Sequence, residues 1–236
     1  MKLLKLCTVL VLTMLATPLA AQQSQTGGLG EVVVTAHRSN QPYYRQDRPV
    51  VGLRRQADSA VAVVRISSDS RDEAERRRDI QSVLAAALDS AAADGVELVT
   101  GDFELVPVTR ANAANLLYVG AGRPDTSQII LRAKVKLTGS LVEAERRIEA
   151  FARKVPRKGR ALLEAERGLS LTIINPDQYR AAIVKAVAEH ATAQAAVFGP
   201  DYRVAVTGLD EQVVWSQISG TEVFLFLPYD FSIVAK

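Results

Sequence analysis

Apolar and polar residues alternate over 60–67 (AVAVVRIS), a valine-rich run with the two-residue period of a strand. Just beyond it, Ser70 and Glu73 have capping-box spacing. In such a box the serine hydroxyl accepts a free backbone N–H of the first turn and the glutamate reaches back to the cap. Ile80, Val83, Leu84, Ala87, Leu88 and Ala91 then recur at helical spacing, which predicts a helix with one apolar face. Asp94-Gly95 predicts its end, because glycine accepts the left-handed conformation found there. Alternation resumes over 96–108, a second strand.

The rest of the chain repeats these signals. Residues 110–127, with Gly120, Gly122 and Pro124, read as a long connection, and 128–137 (QIILRAKVKL) as a strand. A second helix is expected from Ser140, again with a glutamate three residues on, and ends before Pro156. Ser-x-x-Glu-Ala-Glu-Arg-Arg thus occurs at Ser70 and again at Ser140, each time just after a strand. Either a duplicated strand–helix unit or the commonness of capping boxes explains the echo. Both helices should bury one face against the sheet. Residues 169–174 read as a strand, and Asn175-Pro176-Asp177-Gln178 as a helix start, running to Phe198 before Gly199-Pro200. Strands are expected at 202–207, 212–219 and 221–234, the last interrupted by Pro228 as an edge strand or bulge. N-terminal to the core unit, 31–38 has strand composition and 39–49 reads as an extended loop. The expected fold is α+β: a mixed, largely antiparallel sheet with about three helices packed on one face, built from strand–capped-helix units.

The first residues change the picture of what remains. Lys2 and Lys5 precede an apolar run over 6–15, and small residues surround 16–21, the pattern of a cleavable export signal. The run is shorter than the roughly 20 residues needed to span a bilayer. Residues 1–21 are therefore read as a signal peptide, 22–49 as a flexible arm, and 50–236 as one domain, with two lobes meeting near 155–168. The signal would deliver the protein to the periplasm, with no transmembrane segment left after its removal. Its loss removes Lys2 and Lys5 from 29 basic residues set against 26 acidic ones. The remaining charge is nearly neutral and gives no reason to expect a nucleic-acid partner. It also removes Cys7, the one cysteine, so disulfides and thiolate metal sites are excluded from the mature chain.

The stretch 57–107 carries Ala57-Asp58-Ser59 before the first strand and Asp72-Glu73-Ala74 at the helix start. The helix face from Leu84 to Leu88, Gly95-Val96, Thr100-Gly101 and Leu105-Val106-Pro107 follow. In these residues the chain resembles the SIMPL domain family of bacterial envelope proteins. The strand over 129–137 with a helix after it fits that family's order of elements. The resemblance implies an exported protein linked to envelope integrity or stress, with a tendency to self-assemble. From 169 onward the chain departs from the family pattern. Separately, Glu31-Val32-Val33-Val34-Thr35-Ala36 resembles the box through which outer-membrane receptors engage TonB, which implies a TonB-linked adaptor; a plain N-terminal strand or arm is the other reading.

Candidate chemistry is sparse. The two histidines, His37 and His190, do not make a metal site without converging carboxylates. No Gly-x-Ser-x-Gly elbow occurs, and the glycines at 27–30 and 120–122 lack the flanking elements of a phosphate loop. No catalytic residue, metal or cofactor is expected, and an exported hydrolase with an unrecognised site is the rival reading. Asp72, Glu73, Glu75 and Asp79, beside Arg76, Arg77 and Arg78, read as a solvated helix face of paired charges. Arg153, Lys154, Arg157, Lys158 and Arg160 form the one local excess of charge. They read either as a contact for anionic envelope lipid or an acidic partner, or as a solvated loop after a helix C-terminus. Trp215, Phe224, Phe226, Tyr229 and Phe231 gather on the last strands, to be buried in the core or to form an assembly surface. The expected protein is non-catalytic and acts by homo-oligomerisation or through contacts with an envelope protein.

Overall fold

The computed structural model describes residues 30–34, 49–120, 122–123 and 125–236. The expected signal peptide, Cys7, His37 and most of the expected arm lie outside the described residues.

The centre of the molecule is two interlocked strand–helix–strand units. Strand β3 (Ser59–Ser68) leads into helix α1 (Glu73–Ala91) and then strand β4 (Val96–Thr100). Strand β7 (Ser127–Lys136) leads into helix α2 (Leu141–Lys154) and then strand β8 (Leu162–Ala165). β3 and β7 pair antiparallel along ten residues, from Ser59 opposite Lys136 to Ser68 opposite Ser127. Each unit's closing strand pairs with the other unit's opening strand: β4 with β7, and β8 with β3. The order β8-β3-β7-β4 is the double split β-α-β arrangement of ferredoxin-like sheets. The Ser70/Ser140 echo therefore falls on two units related by a pseudo-two-fold about the β3–β7 pair, and both helices pack on the sheet.

Further strands extend and curl this sheet. Strand β9 (Ser170–Ile174) pairs with β3 beyond the end of β8, and strand β1 (Glu31–Val34) pairs with β9. On the far side, strand β5 (Val106–Pro107) folds back on β4, and strand β6 (Val119–Gly120) pairs with β7. Between β4 and β5 the chain reaches across to β1: Val33 N–H donates to Phe103 O at 3.0 Å, and Leu105 N–H donates to Glu31 O at 2.9 Å. The sheet thus closes on itself at one end, a curled half-barrel.

The remaining elements form two small sheets. Strand β2 (Leu53–Gln56), strand β11 (Val214–Gln217) and strand β12 (Glu222–Phe226) make one, in the order β11-β12-β2. Strand β10 (Tyr202–Thr207) and strand β13 (Asp230–Ala235) make a two-stranded ribbon, against which helix α3 (Arg180–Ala196) packs. All pairings among the described strands are antiparallel. The fold is α+β, as the hydrophobic pattern predicts.

Alternation assigns the two faces of the main sheet. Ala60, Ala62, Val64 and Ile66 of β3 join Ile80, Leu84 and Ala87 of α1 and Ile148 and Phe151 of α2 in one buried core. Ile183 and Val187 of α3 belong to the same core, as do Trp215, Val223 and Leu225 of the three-stranded sheet. On the opposite, helix-free face, Val33, Val61, Val99 and Leu105 form a second, small cluster where the sheet closes.

Four local expectations need correction. Helix α1 is capped by Asp72, whose carboxylate accepts from Glu75 N–H at 2.7 Å, not by Ser70. Ser70 instead donates its hydroxyl to the Glu75 carboxylate. Asn175 does not cap α3: it sits in the left-handed region at φ 41° before a 3-10 turn over Pro176–Tyr179, and the α-helix begins at Arg180. The stretch 96–108 is two strands joined by a tight hairpin at Gly101, whose φ is 106°. Finally, 221–234 is not one strand. Pro228, unable to donate to a ladder, marks the crossing from β12 in one sheet to β13 in another. The Ser140 cap is as read: its hydroxyl accepts from Glu143 N–H at 3.2 Å.

Candidate functional site

The five cations between 153 and 160 surround a tight turn. Lys158 and Ala161 exchange backbone hydrogen bonds at 3.1 and 2.8 Å, which leaves Gly159 and Arg160 at the tip, with Gly159 at φ 53°. Arg160 grips Asp69 with two parallel bonds of 2.6 and 2.7 Å. That pairing holds the Asp69 carboxyl below its ordinary pKa and the guanidinium above its own. Arg153 pairs with Glu149 one helical turn back, and Lys154 pairs with Asp94. The structure therefore disperses the predicted cation cluster. Three members are engaged by acids of this chain, and only Arg157 and Lys158 are exposed without an ion pair among the described residues.

The turn has a structural function that sequence reading missed. Gly159 lies directly on the carboxylate of Asp79, leaving no space for a side chain. Asp79 is buried, and its Oδ2 has no hydrogen-bond partner among the described residues. Arg76 is buried as well, donating to the carbonyls of Ser70 and Arg71 and to Ser127 Oγ at 3.1 Å. The reading of 72–79 as a wholly solvated charged face is thus corrected. Positions 76, 79, 80 and 83 fall on one side of a 3.6-residue helix, and that side faces the protein. Glu73 and Arg77 do form the expected exposed pair, at 3.1 Å.

A second charged constellation lies on the helix-free face. Arg65 of β3 and Arg132, Lys134 and Lys136 of β7 alternate toward this side. Lys134 is the most enclosed, its side chain 14% exposed, and its ammonium bridges Glu31 of β1 and Glu97 of β4, the latter at 2.6 Å. Glu31 also accepts from the Thr172 hydroxyl of β9. Burial opposes the Lys134 charge, but the hydrogen bonds to the two carboxylates outweigh it and raise the pKa above the ordinary lysine value. Arg132 donates to Gly101 O at 2.8 Å and pairs with Asp102, which ties down the closing hairpin. Arg65 pairs with Glu166. These groups hold strands β1, β4, β7 and β9 together, and tie β3 to the residue that follows β8. The cations were visible in the alternation of 128–137. Their acids come from distant segments that carry no local signal.

The third place is the β10–β13 ribbon. Neither strand pairs with any other described strand. Phe198, Tyr202 and Phe231 are exposed around it, at 58%, 42% and 37%. Phe198 and Tyr202 contact each other with centroids 6.0 Å apart, and His190 of α3 meets the edge of Phe231 at 6.1 Å. The other late aromatics turn inward. Trp215 is buried and stacks on Phe103 of the closing hairpin at 5.6 Å, and Phe224 is buried over Gly52. The aromatic C-terminal strands thus divide, β12 to the core and β13 to the surface.

Among the described residues no three His, Cys, Asp or Glu side chains converge as metal ligands, and no helix is long and apolar enough to cross a membrane. No family model matches the chain, and no curated relative matches it.

Proposed function

We propose that this is an exported, periplasmic protein of the cell envelope that acts without catalysis, through self-association or contacts with other envelope components. The observation that carries the reading is the two-stranded ribbon. Open strand edges are templates for further pairing, and natural folds normally cover, shorten or charge them. Here neither six-residue strand pairs with a further described strand, and Phe198, Tyr202 and Phe231 are exposed beside them. The helix-free face fits the same view, because Lys134, Arg132 and Arg65 are engaged in holding strands together. The apolar run behind Lys2 and Lys5 supports export, and the resemblance of 57–107 to SIMPL domains supports a place in envelope integrity or stress.

A TonB-contacting adaptor is the weaker reading. Val32 and Val33 are buried and Glu31 is bound to Lys134 and Thr172, so Glu31–Val34 are committed to the sheet. Arg157 and Lys158 are what remain of an anionic-lipid contact. Reversing both charges should abolish any binding to anionic vesicles.

The test of the main reading is crosslinking in intact cells, followed by the solution mass of the purified protein. A discrete self-crosslinked species or a defined envelope partner is the expected result. Recovery of neither overturns the reading.

A further inference from the structure

Resting on the reading that the protein contacts other envelope components, we infer that the tip between α3 and β10, Val197 to Tyr202, inserts into the surface of a lipid bilayer. Residues 190–200 (HATAQAAVFGP) contain no Lys, Arg, Asp or Glu. A helix end in water is favoured by cations near its last carbonyls, and α2 supplies them with Arg153 and Lys154. α3 has no basic residue in its last turn. Val197 and Phe198 follow instead, the first 80% exposed, and Phe198 meets the exposed ring of Tyr202 where the chain returns as β10. Charge resumes only at Asp201 and Arg203, on either side of Tyr202. Tyr202 thus stands between an uncharged tip and a charged rim, the place that amphipathic rings take at a membrane interface.

The backbone of the tip suits an apolar layer as well. Val197, Phe198 and Gly199 donate their N–H groups to Gln194, Ala195 and Ala196 O at 3.2, 3.0 and 3.3 Å, and Pro200 has no N–H. From 197 to 200 no N–H has to be stripped of water without a partner, which would oppose insertion. Gly199, at φ 101°, lets the chain turn back within this short span. Area decides between a bilayer and a second copy as the occupant. An aromatic side chain buries about 150–250 Å² in full, so the exposed parts of Val197, Phe198 and Tyr202 together offer roughly 300 Å². A stable protein interface takes about 800 Å² from each partner. Phe231 does not enlarge the tip, because it lies opposite Val206, toward the other end of the ribbon. A bilayer needs no fitted partner surface, and a few apolar side chains give it a weak, reversible hold.

The experiment uses vesicles of phosphatidylcholine, whose neutral surface does not attract Arg157 and Lys158 electrostatically. Flotation with these vesicles at roughly millimolar lipid should carry the purified protein. Val197→Ser combined with Phe198→Ser should weaken binding by about tenfold or more. Circular dichroism should stay native in that variant, because both side chains are exposed. The emission of Phe198→Trp should shift to the blue on vesicle addition, whereas the wild type, whose Trp215 is buried, should not change. Absence of both flotation and blue shift overturns the insertion and leaves the wider reading to crosslinking in cells. Full vesicle binding by the natively folded double serine variant overturns the tip as the site. A fall in solution mass in that variant, with no vesicle binding by the wild type, assigns the tip to a second copy and overturns the lipid.

Discussion

Removing the ammonium of Lys134 would leave the Glu31 and Glu97 carboxylates without their common partner, on a face where Glu31 is only 10% exposed. Leaving a buried charge uncompensated costs about 3 kcal/mol or more. Lys134→Met should therefore lower stability by that order, read from urea denaturation. The pH dependence has a defined sign. The folded-state pKa of Lys134 is raised, so its contribution is full below the unfolded value of about 10.4 and is lost as pH climbs through the folded value. Wild-type stability should fall in that alkaline window, and the Lys134→Met profile should be flatter there. Gly159 gives a second residue-scale prediction. A side chain there meets the Asp79 carboxylate and must adopt φ 53°. Gly159→Ala should cost roughly 1–3 kcal/mol, although the residue sits at an exposed turn tip, and calorimetry can check it.

At the scale of elements, capping separates what local sequence reveals from what it does not. Ser140 and Ser70 stand in identical octapeptide patterns, yet only Ser140 caps its helix. The difference is Asp72, two residues nearer α1, whose carboxylate takes the free Glu75 N–H. Asp72→Ala should cost about 1 kcal/mol, as for other N-caps, whereas Glu73→Ala should cost a few tenths through its exposed pair with Arg77. Equal effects in denaturation midpoints would return the cap to the box read from sequence. Elements with a clear period were legible: β3, β7, α1 and α2 lie within a few residues of their predicted places. The breaks were less so. Gly101 and Pro228 each turn an apparently continuous strand into two, because apolar runs on either side of a sharp turn read alike. The cation loop was legible as composition only. Its acids, Asp69 and Asp94, lie far away in sequence, and pairing across such distances has no local trace.

For the whole molecule, the decisive contact is the closure of the sheet by β1. This four-residue strand pairs with β9 on one side and with the 103–105 hairpin on the other, and it supplies Val32 to the main core and Val33 to the small one. If it were a dispensable arm, its deletion would leave the rest of the domain unchanged. Its burial argues otherwise, since two valines lose their place and Lys134 loses Glu31. Deleting Glu31–Val34 should therefore destabilise the protein by several kcal/mol, at roughly 1.5–3 kcal/mol for each buried valine. The loss should also be uneven. The ten-residue β3–β7 pair lies between neighbours on both sides and under two helices, so its amides should remain the slowest to exchange. Amides of β9 and of residues 103–105 should lose protection, because the deletion frees an edge of one and the backbone partners of the other. Hydrogen exchange resolved by segment distinguishes the two cases. Unchanged protection in β9 and the hairpin would make Glu31–Val34 an accessory arm and return it to the pool of possible contact segments. Selective loss there, with β3 and β7 still protected, would establish that the half-barrel is closed by its N-terminal strand.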